Sequence, residues 1–271
     1  MRGSSRGAAK SVQSVFDAAL TTSPSWETLA EELFAVTGVV DGNASLRRAL
    51  ADPSREAADK QALARSLFGG KVGETTTDLV AEVAGQRWAA ERDLGDTLES
   101  LAVQTLLARA EREGRIDRVE DELFRFDRIV AGNTGLRDTL SSRNTDASGK
   151  VALVHQLLEG KAAPETIRLS EQAVRAPRGR RLDRVMESYL DLAARRREEL
   201  TALVTVAAPL TDEQQSRLRS ALEAHYRKAV TLQVVQDPTV MGGIRVQVED
   251  EVVDGTVLRR LEEARRHVTG S

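Results

Sequence analysis

Apolar residues in the first two thirds of the chain recur mainly at helical spacing. Val12, Val15, Phe16, Ala19 and Leu20 fall at i, i+3, i+4, i+7 and i+8, which predicts an amphipathic leading helix. Leu98, Leu101, Thr105, Leu106 and Ala108 form a looser stripe of the same kind, and Leu182–Leu203 reads as one long helix. The pattern then changes. Val204–Ala207 is a short β-prone run stopped by Pro209. Thr211 with Gln214 three residues later fits a capping box, with Asp212 and Glu213 in the first turn of the helix it opens. That helix carries Leu218, Ala221, Leu222, His225 and Ala229 on one stripe and is expected to end near Val230. Leu232–Val235 predicts a strand. Ile244, Val246 and Val248 alternate with Arg245 and Gln247 as a half-buried strand does, and Val252 and Val253 belong to its hairpin partner. A last helix is expected over about Thr256–Val268, burying Val257, Leu258, Leu261 and Ala264. The tail thus reads β-α-β-β-α.

The helical part contains an internal echo. Displaced by ninety residues, Glu32–Leu79 lies on Glu122–Leu169 without a gap, and eighteen of the forty-eight positions are identical. Unrelated segments of this composition match at roughly one position in twelve, so a duplicated module is the better explanation. Glu32-Leu33-Phe34 recurs as Glu122-Leu123-Phe124, Leu46, Arg47 and Leu50 as Leu136, Arg137 and Leu140, and Leu63 and Leu67 as Leu153 and Leu157. These apolar pairs read as core. Gly42-Asn43 recurs as Gly132-Asn133 and Gly70-Lys71 as Gly160-Lys161, punctuation that marks helix ends. The fold class expected is mainly α: a first helical module over 1–96, its duplicate over 97–202, and a small α/β domain over 203–271.

Composition narrows the chemistry. The 271 residues suffice for a sizeable core, and aromatics make up only 3%. A formal net charge of -3 argues against a chain devoted to gripping a phosphate backbone. There is no cysteine, which excludes disulfides, thiolate metal sites and cysteine nucleophiles. No apolar h-region follows residues 1–10, so no signal peptide is expected, and the apolar run Leu203–Leu210 is far short of the ~20 residues a membrane helix needs.

No catalytic, cofactor or metal constellation can be assembled. His155, His225 and His267 are isolated, and His225, on an apolar stripe, is expected at the edge of a core. Gly69-Gly70-Lys71 is followed by Val72 and reads as a helix end rather than a phosphate loop. The charged stretch Arg109–Glu122 and the clusters Arg178, Arg180, Arg181, Arg184 and Arg195–Arg197 read first as solvated helix faces. Glu31 and Glu32 are sequence neighbours and point in different directions on a helix.

The tail closely resembles a known signature. Asp237-Pro238-Thr239-Val240-Met241-Gly242-Gly243, an alternating strand, Asp250 and then Asp254-Gly255-Thr256 resemble the C-terminal motif of the delta subunit of F-type ATP synthases, the family that includes the mitochondrial oligomycin-sensitivity-conferring subunit. Val206-Ala207-Ala208-Pro209-Leu210-Thr211 fits the same pattern, as do Glu122-Leu123-Phe124 and Gly132-Asn133-Thr134-Gly135-Leu136-Arg137. The second helical copy resembles the enlarged actinobacterial form, and Glu249 stands where the family usually has Gly. Within the signature, Pro238 ends strand pairing, Gly242 and Gly243 let the backbone bend, and Asp254 is placed to cap the last helix.

The resemblance implies a non-catalytic stator subunit with no cofactor. Its partners would be the N-terminus of an α subunit and the b subunit of the peripheral stalk, with β nearby, at the cytoplasmic face of the plasma membrane. Val12, Val15 and Phe16 in the first copy and Leu101 and Leu106 in the second are the residues chosen for a partner groove. The competing expectation is a helical nucleic-acid-binding or antitermination-type adaptor built on the arginine clusters.

Overall fold

A computed structural model describes residues 3–23, 25–142, 144–198, 200–226, 229–237, 243–248 and 251–254. They divide into two compact units: the described residues of 3–16 with those of 23–197, and 17–22 with the described residues of 198–254.

The first unit is helical. It takes residues 3–16 of a leading helix α1 (Gly3–Thr22), followed by α2 (Trp26–Gly42), α3 (Ala44–Ala51), α4 (Ala57–Phe68) and α5 (Glu74–Gly85). After the long α6 (Glu91–Arg112) come α7 (Ile116–Gly132), α8 (Thr134–Ser141), α9 (Ala147–Leu158) and α10 (Pro164–Arg175), and then α11 (Leu182–Glu198). Both ends of α7, α8, α9 and α10 lie ninety residues beyond those of α2, α3, α4 and α5. The local causes recur too. Asn43 Oδ1 accepts from the Leu46 amide at 3.0 Å, and Asn133 Oδ1 from the Leu136 amide at 2.9 Å, so each Asn ends one helix and caps the next. Gly70 and Gly160 take φ of 72° and 70° just past α4 and α9, the left-handed geometry that favours glycine.

The leading-helix stripes are realised differently. Val12, Phe16 and Leu20 are buried on α1, whereas Val15 is 38% exposed. α1 is tied to α6 by polar contacts: the Ser5 hydroxyl donates to Asp93 at 2.6 Å and accepts from the Ala89 amide at 2.8 Å, and Gln13 donates to Gln104 at 3.1 Å. α6 is buried on every side, from Leu94 and Leu98 through Val103 and Leu107 to Ala110. That is why its stripe looks loose in sequence: a helix packed all round has no solvent face to break the pattern.

The second unit holds a four-stranded mixed sheet ordered β2-β1-β3-β4, with β1 Leu200–Val206, β2 Val230–Gln236, β3 Ile244–Val248 and β4 Glu251–Asp254. β1 and β2 pair in parallel across α12 (Asp212–Tyr226), and β3 runs antiparallel to both β1 and β4. Ala202, Val204, Val206, Val230, Leu232, Val246 and Val248 form the core, covered by Leu218, Leu222 and Tyr226 of α12. The capping box is present: the Thr211 amide donates to Gln214 Oε1 at 2.9 Å and the Gln214 amide to Thr211 Oγ1 at 3.3 Å.

Three sequence expectations need correction. The long helix expected to Leu203 stops at Glu198, because from Leu200 the buried positions Ala202, Val204 and Val206 already alternate as a strand. Val230 opens β2 rather than closing α12. His225 is exposed and packs edge-on against Tyr226, with ring centroids 4.8 Å apart, rather than lining a core. The expected last helix, with Gly255, lies outside the described residues.

Candidate functional site

Charged residues the sequence left on solvated faces knit the helical unit together. Arg178 is the centre of the largest such network. Its side chain is 6% exposed and meets Asp41 at the end of α2, then Asp96 at 2.9 Å and Glu99 at 2.8 Å on α6. Glu99 also takes Arg180 at 2.6 Å and a 3.0 Å hydrogen bond from the Tyr189 hydroxyl. Burial alone would lower the Arg178 pKa, but the Asp41 bond and the surrounding carboxylates outweigh it and raise it. Burial and then Glu99 push the Tyr189 phenol well above its usual value. The backbone is fitted to this network. Arg178 has φ of 56°, and its carbonyl accepts from Arg92 at 2.6 Å. Gly95 leaves the guanidinium room, since a Cβ there would lie 2.6 Å from Arg178 Nη2.

A second knot sits in the stretch Arg109–Glu122. Buried Glu165 of α10 receives Arg109 at 3.2 Å and Arg115 at 2.7 Å. Arg196 pairs with Glu111 at 2.7 Å and Arg197 with Glu120 at 3.2 Å, so much of the basic run on α11 is also committed within the chain. Arg181 and Arg184 do remain exposed, beside Asp183 and Glu187. Local sequence carries no sign of these pairings, whose partners lie tens of residues apart.

The same latch occurs twice, ninety residues apart. Glu32 accepts from the Gly73 amide at 2.9 Å and from the Thr76 hydroxyl. Glu122 accepts from the Ala163 amide at 2.8 Å and the Thr166 hydroxyl at 2.7 Å. Glu31 points elsewhere, pairing with Arg168.

Of the residues chosen for a partner groove, Val12, Phe16, Leu101 and Leu106 are buried and Val15 is open. Other apolar side chains are exposed: Val39, Phe124, Ile129 and Leu157 on the helical unit and Val252 on β4. Val39 borders an apolar cleft of about 240 Å³ with Ala35, Val36, Leu67 and Phe68. A more polar cleft of about 410 Å³ lies between α7 and α11 around Phe124. In the tail, Gly243 takes φ of 85°, the freedom expected of it, and Asp254 ends β4 opposite Arg245. Pro238, Gly242 and Asp250 lie outside the described residues. Among the described residues there is no cluster of acidic and histidine side chains fit for a metal ion.

The model of the ATP synthase delta (OSCP) subunit family matches residues 10–90 and 103–268. The chain belongs to that family. An ATP synthase delta (OSCP) subunit is a structural subunit rather than a catalytic one. Several relatives named ATP synthase subunit delta are of similar length. The ATP synthase subunit delta of Streptomyces griseus is 45% identical over 271 residues, covering 100% of both chains. That of Streptomyces avermitilis is 47% identical over 268 residues, 98% of each. That of Kineococcus radiotolerans is 45% identical over 240 residues, 89% of this chain and 87% of its own. The match crosses from the helical unit into the sheet unit, so both are part of what defines the family here. The nucleic-acid-adaptor reading finds no support in these comparisons.

Proposed function

We propose that this chain is a peripheral-stalk stator subunit of an F-type ATP synthase. In this role it links the α/β head to the b subunit and resists rotor torque while proton flow drives ATP synthesis. The observation that carries the reading is the family match over nearly all of both units. We read residues 1–96 and 97–202 as two copies of one module, and residues 203–271 as the domain that takes the end of b. The helical copies receive the N-terminus of an α subunit, with β nearby. Val15 is the exposed member of the chosen groove residues, and Val12, Phe16, Leu101 and Leu106 are buried. Pro238, Gly242, Gly243, Asp250, Asp254 and Gly255 shape the end that meets b. No described helix is long and apolar enough to cross a membrane. Attachment at the cytoplasmic face of the plasma membrane therefore goes through partners.

Such a role requires slow dissociation rather than chemistry, which buried apolar contact supplies. The test is to strip the chain from synthase-bearing membranes and add it back. Proton pumping coupled to ATP hydrolysis should fall on removal and return with the full chain, which should co-purify with α, β and b. Membranes that stay fully coupled without it would refute the proposal.

A further inference from the structure

The internal repeat gives the same helix face two different fates. On α2, Phe34 is 5% exposed, and Arg168 of α10 lies over its ring. The Arg168 guanidinium lies 4.7 Å from the Phe34 ring centroid and pairs through two nitrogens with Glu31, one contact at 2.8 Å. Ninety residues on, Phe124 and Asp121 hold the same two places on α7, and Phe124 is 54% exposed. It forms part of the floor of the α7–α11 cleft with Leu190 and Ala194; Asp117, Glu120, Asp121 and Asp191 stand round it, and the one cation of the lining, Arg197, is paired with Glu120. Among the described residues Asp121 is held by an exposed two-nitrogen pair with Arg125, at 3.1 and 2.9 Å one helical turn on, which an incoming guanidinium would displace.

We propose that the α7–α11 cleft is a docking site for a helix of another polypeptide that presents an arginine. The guanidinium would stack on Phe124 and take Asp121, as Arg168 stacks on Phe34 and takes Glu31. The acidic rim favours a basic partner, and an aromatic face with a carboxylate one turn away is a matched receptor for guanidinium. A second copy of this chain is a poor occupant. The helix equivalent to α10 in the first copy is α5, and Asp78 stands there in the place of Arg168. A head-to-tail neighbour would bring Asp78 to Asp121, like charge to like charge.

The chain's own covering helix is the probe. A labelled peptide of residues 164–175 is stapled through Leu169 and Ala173, because twelve residues alone make a marginal helix. It is titrated into the full chain and followed by fluorescence anisotropy. One-to-one binding is expected. Phe124→Ala and Asp121→Lys, both exposed positions whose variants should melt as wild type does, should each weaken it by about tenfold. A peptide carrying Arg168→Glu should fail on the wild type and recover on Asp121→Lys. Absence of binding, or binding indifferent to both variants, would overturn the proposal. So would a concentration-dependent dimer that Phe124→Ala abolishes, since the occupant would then be a second copy. This assay and the coupling assay above fail independently.

Discussion

Glu122 accepts a 2.7 Å hydrogen bond from the Thr166 hydroxyl at the start of α10, and the same bond joins Glu32 to Thr76 at the start of α5. Burial pushes the Glu122 carboxyl up. The bonds from Thr166, the Ala163 amide and Arg118 outweigh it and hold the pKa below 4.5. A depressed carboxylate pKa stabilises the fold above the unfolded value, and the gain is lost as pH falls through the folded pKa. Glu122→Gln should therefore cost about 1–3 kcal/mol at pH 7. Thermal melts across pH should show wild type and variant converging as pH falls from 4.5 through the depressed folded pKa.

Removing the guanidinium of Arg178 takes away the cation that Asp41, Asp96 and Glu99 share, and leaves Glu99 with Arg180 alone. Arg178→Ala should destabilise the chain by about 3–5 kcal/mol in denaturant unfolding, as for other broken buried pairs. Adding Glu99→Gln should recover part of the loss, because the two changes act on one network.

Glycine inside a helix is normally improved by alanine, by about 1 kcal/mol. Gly95 on α6 should behave oppositely, since the added methyl would collide with the Arg178 guanidinium and with Asp41 Oδ1 at 2.9 Å. A melting temperature for Gly95→Ala at or above wild type would contradict that geometry.

Lys60 is buried, and its Nζ donates a 2.6 Å hydrogen bond to the Gln86 carbonyl. Burial, then the charge of Arg87, lowers its pKa below 10.5. The unfolded chain then keeps this proton to higher pH than the folded one, so stability rises as pH climbs from the folded pKa toward 10.5. Lys60→Met should flatten that rise. It should also cost about 1–3 kcal/mol at neutral pH by leaving the carbonyl unpaired, measurable by urea unfolding.

His155 Nδ1 lies 2.8 Å from Glu171. That bond raises the imidazole pKa above 6.5, against the opposing effect of burial and with help from Glu159. Stability from the charged pair is present below 6.5 and fades as pH rises through the raised value. An NMR titration should place the His155 midpoint above 6.5, and Glu171→Gln should bring it down.

Much of this architecture is legible locally. Gly42-Asn43 and Gly132-Asn133 announce a helix end and the next cap, because the Asn side chain bonds an amide three residues on. Thr211 and Gln214, and the alternation of Val246 and Val248, are equally short-range. What stays hidden is tertiary. Arg178 meets Asp41 across 137 residues and Glu99 across 79, and nothing near Arg178 distinguishes it from solvent-facing Arg181. Phe34 and Phe124 occupy the same Glu-Leu-Phe triplet, yet one is covered and the other open. A repeat makes its members look alike in sequence while packing sets them apart.

The position of α6 has a consequence for how the chain can be divided. It lies along α2 of the first copy, gives Glu99 and Asp96 to the arginine that also holds Asp41, and runs on toward α7. A protease cut or gene split near residue 96 would sever a shared spine and strip each half of its apolar cover. Neither half should persist alone, and bending between the copies has no pivot there. The helix runs unbroken from Glu91 to Arg112, so no loop at that point offers a hinge.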